Sequence, residues 1–239
     1  MSGKREPLMT EAYFLEHIRY IDTKIAERDT KLREQPERYV KPMAFLRANF
    51  RERYQQVFLG YSVGESTGQL AARLPAVVDA YERCTQREDG DVTDLRDIDD
   101  YIVSLWLVSF ALLFDANDAL WQRLLACIGN EGRDALFDAL VATRSPGRPR
   151  AGTLLHKAFQ PLFDAIAADG PARDALLQRY RRGWYKALRK TYWVETHHWP
   201  FDRGFFGYWA VELAGVVAAF DMDDEALLGE PYYPADLLD

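Results

Sequence analysis

The chain has 239 residues, with 30 basic and 37 acidic side chains, a formal net charge of −7, two cysteines and 48% apolar residues. That length is enough for one large domain or two closely packed ones with a substantial core, so disulfide staples are not needed. Cys84 and Cys127 lie in apolar, helix-patterned stretches with no Cys or His at metal-ligand spacing. They are expected to be buried thiols in a reducing compartment.

No apolar stretch follows the charged opening Met1 to Glu6. A secretory signal peptide is therefore not expected, and the reading is a soluble cytoplasmic protein. Charge is arranged in blocks: residues 1–60 carry +3, 61–145 carry −8, 146–193 carry +7 and 194–239 carry −9. Either the basic block packs beside the acidic tail, or an acidic surface faces a basic partner.

Helical periodicity recurs along the chain, without convincing alternation or a hairpin signal. The expected fold class is all-α, a bundle of about nine to ten helices. Residues 10–34 predict a long charged helix with Phe14, Ile18, Ile21, Ile25 and Leu32 on its apolar face and Thr10 as cap; Pro36 and Pro42 bracket its exit. A second helix is expected from Met43 to Leu59, stopped by Gly60. Ser66 and Gln69 have capping-box spacing, ahead of a third helix with Leu70, Leu74, Val77, Val78 and Tyr81 as its stripe.

The segment Glu88 to Asp100 holds seven carboxylates and one arginine, and it runs into the apolar stretch Tyr101 to Phe114. That stretch is too short for a bilayer, which needs about 20 residues, and it predicts a core helix. Acids before it suit the helix macrodipole, although one or two would suffice. Further helices are expected at 118–128 and at 131–143, the latter capped by Asn130, then at 153–168, 171–193 and 204–220. Arg144 to Gly152, with two prolines, two glycines and three arginines, is the candidate boundary between an N-terminal module, 1–145, and a C-terminal module, 146–239, packed together.

Signals for catalysis are poor. The histidines are His17, His156, His197 and His198, with no His-Glu-x-x-His, phosphate loop or Gly-x-Ser-x-Gly. No catalytic residue, metal or cofactor is expected. Arg179 to Trp193 mixes six basic residues with five aromatics. That mixture could track a nucleic-acid backbone, or divide on a helix into an aromatic core face and a basic outer face; the second reading is favoured. Along the C-terminal helix, Trp209, Leu213, Val216, Val217 and Phe220 share an arc, with Glu212 at its edge beside Phe205 and Tyr208. Glu212 is expected to be partly buried and to need an Arg, Lys or Tyr partner, with the basic segment a candidate source. Pro231 and Pro234 enclose Tyr232 and Tyr233, which predicts a stiff, extended exit.

Gly207-Tyr208-Trp209, Glu212, a helix, the turn at Asp223-Asp224, and then Tyr232-Tyr233-Pro234 and Asp236-Leu237 together form an ending that resembles the C-terminal signature of the PoNi immunity family. Asn49 to Cys84, with Gly60-Tyr-Ser-Val-Gly-Glu65, is similar to that family's N-terminal module. Leu213 to Gly215 and Phe220 to Met222 depart from the commonest pattern, which bears on the toxin subtype.

The resemblance implies a helical protein that is not an enzyme, encoded beside a PoNe nuclease toxin that it binds and silences. Such toxins are DNases, often delivered by contact-dependent secretion such as type VI. A nuclease holds phosphates on a basic surface, which an acidic protein can cover. The candidate partner-binding carboxylates are Asp89, Asp91, Asp94, Asp97, Asp99, Asp100, Asp223, Asp224 and Asp236. No direct nucleic-acid or membrane contact is expected. A helical enzyme and a nucleic-acid-binding regulator are the competing classes.

Overall fold

The first helix, α1, spans Glu11–Glu34 in the computed structural model, which describes residues 3–87 and 90–238. It starts where expected: the Thr10 hydroxyl accepts the Tyr13 N–H at 3.2 Å, a cap that stabilises by about 1 kcal/mol. Every regular element among the described residues is helical, so the fold class is all-α. The helices form two compact units, each discontinuous in sequence. Unit 1 takes Met1–Val92, Asp118–Cys127 and Glu195–Tyr208; unit 2 takes Thr93–Asn117, Ile128–Val194 and Trp209–Asp239.

In unit 1, α2 (Met43–Val63) is the central helix, with Tyr54 to Ser62 all buried, and α1 packs along it. Arg28 of α1 reaches across to Glu52 with two hydrogen bonds, 2.5 and 2.7 Å, and to Asn49 at 3.0 Å. Gly60 does not end α2. The helix continues to Val63, and Gly64 takes the left-handed cap at φ 102°. Gly60 is required for another reason: a Cβ there would stand 2.8 Å from Leu70 Cδ2 and meet the Glu65 carboxylate.

The Ser66–Gln69 capping box forms and opens α3 (Thr67–Ala71), after which α4 (Leu74–Thr85) carries the rest of the predicted stripe. The single third helix is thus two, both with buried apolar faces. Helix α6 (Asp118–Ile128) brings Arg123 to Glu82 at 2.9 Å and Asp79 at 2.6 Å. Both thiols are buried, and burial raises that of Cys84 to about 11, so neither is a ready nucleophile.

His17 lies on the inner face of α1, 3% exposed, against the backbone of Gly204, where a Cβ would strike its ring. Phe201 packs on the imidazole at 5.1 Å between ring centres. Burial lowers its pKa from 6.5 to about 4. The unfolded chain then binds the proton more readily, so His17 contributes stability above pH 6.5 that is lost as pH falls toward 4, up to about 3 kcal/mol. Denaturant midpoints measured across that window should slope upward with pH, and His17→Leu should flatten the slope. An unchanged slope in the variant would place the titration elsewhere.

In unit 2, α5 (Ile98–Leu113) begins at Asp97, whose carboxylate accepts the N–H groups of Asp99 and Asp100 at 2.8 and 3.3 Å. Against it packs α10 (Val211–Ala219), buried from Val211 to Val217 and apolar on every side except at Glu212. The crossing depends on Gly215: a Cβ would lie 3.0 Å from Ser109 Cα and meet its Oγ. Gly215→Ala is expected to overpack this contact and destabilise by roughly 1–3 kcal/mol. The Ser109 hydroxyl is buried without a hydrogen-bond partner among the described residues. Ser109→Ala should therefore be neutral or stabilising and relieve part of the Gly215→Ala loss, read as a shift in melting temperature.

The remaining helices are α7 (Ala135–Ala142), α8 (Gln160–Ala167) and α9 (Gly170–Ala187). Asp134, not Asn130, caps α7 and accepts the Phe137 N–H at 2.9 Å. Asn130 sits before it at φ 63°, with its amide on Thr93 O and Ile128 O. Only the second half of the predicted 153–168 helix is α-helical, and α9 ends at Ala187 rather than 193. The expected helix over 204–220 starts only at Val211, because Gly204 and Gly207 take φ 38° and 107°, values no helix contains.

Candidate functional site

Glu212, the only ionisable residue in α10, is fully buried. Three donors converge on its carboxylate: Tyr180 OH at 2.7 Å, Trp184 Nε1 at 2.5 Å and Trp106 Nε1 at 3.0 Å. Tyr180 and Trp184 sit four residues apart on α9, so they face the same side, while Trp106 comes from the middle of α5. Burial raises the Glu212 pKa to about 6, while the three donors favour the ionised form and limit the rise. A carboxylate buried beneath three donors is a structural pin, holding α5, α9 and α10 together. The expectation of a Tyr partner from the basic segment holds. Two indole donors join it, which helical spacing does not signal, and Phe205 and Tyr208 lie outside the helix that carries Glu212.

The basic aromatic segment divides as its helical register requires. Tyr180 and Trp184 are buried on the inner face of α9 and Trp193 in the segment after it, whereas Arg179, Arg182, Lys186, Arg189 and Lys190 are exposed. Trp184 and Trp193 stack at 4.9 Å between ring centres. Arg181 is the one cation of the segment turned inward, paired with Glu230 at 2.6 Å. These buried rings present no face on which a nucleic-acid base could stack.

Of the candidate partner-binding carboxylates, Asp89 lies outside the described residues. Asp91 belongs to unit 1, where its carboxylate pairs with both the Nε (2.7 Å) and an Nη of Arg47. The others belong to unit 2. Asp94, Asp97, Asp99 and Asp100 gather at the start of α5. Asp100 accepts the Asp94 N–H at 3.0 Å, and Asp99 is half-buried beneath the Tyr192 N–H at 3.0 Å. The Arg96 guanidinium, bonded to the Asp94 carboxyl, holds its pKa down at about 2, while burial raises that of Asp99. Asp223 accepts the Glu225 N–H at 2.8 Å, and Asp224 accepts the Tyr233 hydroxyl at 2.8 Å. Asp97, Asp223 and Asp236 are exposed.

The signature residues lock the two ends of the chain into their units. In unit 1, the Tyr208 N–H donates to the Glu6 carboxylate at 3.1 Å, and the Ser62 hydroxyl donates to Phe206 O at 2.9 Å. Glu6 is 3% exposed, and burial raises its pKa. Gly207 at φ 107° allows the turn between them. In unit 2, Trp209 and Tyr233 are buried, Pro234 is buried, and the Ala210 N–H donates to Tyr232 O at 2.8 Å. Tyr232 is not extended. Its φ is 70°, and its ring stacks on Tyr185 at 5.9 Å and 13°.

No helix among the described residues is long and apolar enough to cross a membrane. The crystal structure of protein PA2201 from Pseudomonas aeruginosa is similar to this chain with a TM-score of 0.75 at 18% identity, covering 100% of this chain and 90% of that one. At that identity the likeness speaks to the fold alone. No curated protein matches the chain. Residues 5–126 match the family described as PoNe immunity protein (PoNi), N-terminal, and residues 132–237 match PoNe immunity proteins (PoNi), C-terminal. With both halves matched in order, over residues 5–126 and 132–237, the chain belongs to the PoNi family of PoNe immunity proteins.

Proposed function

We propose that this protein binds and neutralises a cognate DNase toxin of an interbacterial, type VI-like delivery system, protecting the cell that makes it from inside the cytoplasm. The observation that carries the reading is the match of both family halves along one chain. Burial of Glu212 and of the aromatic face of α9 adds support, because it withdraws a carboxylate from any substrate and Tyr180 and Trp184 from stacking on a base.

The toxin is captured by exposed carboxylates, with Asp97, Asp223 and Asp236 the most exposed of the candidates. Asp99 and Asp100 are half-buried and contribute field more than contact. Co-expression with the nuclease encoded beside it should rescue a susceptible host and yield a stable complex. Toxicity without rescue or complex would sink the reading.

Replacing Asp97, Asp223 and Asp236 together by asparagine removes three charges while leaving acceptors for the capping bonds that Asp97 and Asp223 make. Association at low salt should slow by about tenfold or more. Unchanged association rates would show that these carboxylates do not steer the encounter.

A further inference from the structure

Unit 1 contains a group of potential metal-ligating side chains that the immunity reading does not use. Thr196–His198 forms a single turn of 3-10 helix, entered by Glu195 at φ 64°, a left-handed conformation unusual for a residue with a Cβ. This entry folds the Glu195 carboxylate back over the turn, 3.5 Å from His198 Nε2. The His197 and His198 rings lie 3.8 Å apart between centres. One ligand atom from each of the three side chains falls within 4.8 Å of the others, the one such His, Cys, Asp or Glu group found among the described residues.

We propose that Glu195, His197 and His198 form a binding site for a divalent transition-metal ion of the zinc class, with a coordination position left open. The Glu195–His198 separation of 3.5 Å is long for a hydrogen bond, yet it is close to the edge of a tetrahedron whose corners stand about 2.0–2.1 Å from a central zinc ion. Two imidazole nitrogens and one carboxylate oxygen suit zinc, nickel or copper better than calcium or magnesium, which prefer all-oxygen sites.

A second group supports the first. His197 Nδ1 is 2.6 Å from the hydroxyl of Tyr208, a buried residue, and Phe205 and Tyr208 meet the imidazole edge-on at 6.0 and 5.5 Å. With Nδ1–H donating to the phenol oxygen, Nε2 carries the lone pair, the arrangement in which a ligating histidine is oriented by an outer partner. Three protein ligands leave the fourth tetrahedral position to water or to a donor from another molecule.

The test is titration of the full-length, chelator-treated protein with zinc chloride by calorimetry at neutral pH, followed by the same titration of variants. One zinc per chain is expected with micromolar affinity. His198→Ala and Glu195→Gln, both at exposed positions, should weaken binding by about tenfold or more with an unchanged circular dichroism spectrum. Tyr208→Phe removes the outer partner while keeping the ring and should cost roughly tenfold in affinity. Binding no tighter than millimolar, or equal affinity in the wild type and in the His198 and Glu195 variants, would overturn the site. Rescue from the toxin by a variant that no longer binds zinc would leave the immunity reading standing and separate the two claims.

Discussion

Glu212→Ala is expected to cost the protein about 3–5 kcal/mol of stability, since it leaves Tyr180 OH and two indole N–H groups buried with their shared acceptor removed. Against a total of about 5–15 kcal/mol for a domain, that loss lowers the melting temperature steeply or prevents accumulation. Glu212→Gln keeps one acceptor oxygen but turns an NH2 toward donors, so it should recover only part of the loss. If the alanine variant melted within a degree or two of wild type, the carboxylate would not be the pin described.

The same carboxylate has a pH signature of opposite sign to that of His17. Its folded pKa, about 6, is raised above the ordinary 4.5, so the folded state holds the proton more tightly. Stability linked to Glu212 is therefore present below pH 4.5 and is lost as pH rises toward 6, by up to about 2 kcal/mol. Denaturation curves of Glu212→Gln across that window should lack this loss.

Arg148→Ala is the second change with a large expected effect. Arg148, whose side chain is 4% exposed, donates from Nε to Asp138 at 2.9 Å and from Nη2 to Gly129 O at 3.2 Å, and its guanidinium lies over the Phe137 ring at 5.2 Å. Asp138 is fully buried and also accepts the Gly132 and Ala151 N–H groups at 3.2 and 3.0 Å. Removing the arginine leaves a buried charge with only backbone donors, expected to destabilise by about 3–5 kcal/mol. Arg148→Met with Asp138→Asn removes both charges and should lose much less than the sum of the single changes. Additive losses in that double-mutant cycle would mean that the two side chains act independently.

Much of the local structure was legible because it is written in neighbouring residues. Thr10 and the Ser66–Gln69 capping box act within one turn of themselves and the structure shows both in place, while of the apolar stripe of α1 Phe14, Ile21 and Ile25 are buried and Ile18 and Leu32 only half-buried. The aromatic and basic faces of α9 follow from helical spacing alone. Errors arose where a local signal had a distant cause. Gly60 was read as a helix end, yet it serves the approach of Leu70. Gly204 and Gly207 were placed inside a helix, yet they make a buried non-helical segment whose N–H groups find Tyr13 OH and the Glu6 carboxylate, roughly 200 residues earlier in sequence order. Tyr232 was expected to be extended, and contact with Tyr185 and Trp184 holds it left-handed instead.

The acidic segment shows the same division. Its composition announced a helix start and a possible recognition surface, but only the folded chain decides that Asp97 caps, that Asp99 and Asp100 bind backbone, and that Asp91 answers Arg47. The sequence by itself determined the helical class, the placement of most helices, the caps that act over three residues and the family to which the chain belongs. Only the tertiary structure decided that Glu212 is met by two tryptophans and a tyrosine from α5 and α9, and that the Tyr208 N–H finds Glu6. Periodicity and capping are properties of one turn of backbone, whereas a buried charge finds its partners through the packing of helices far apart in the chain.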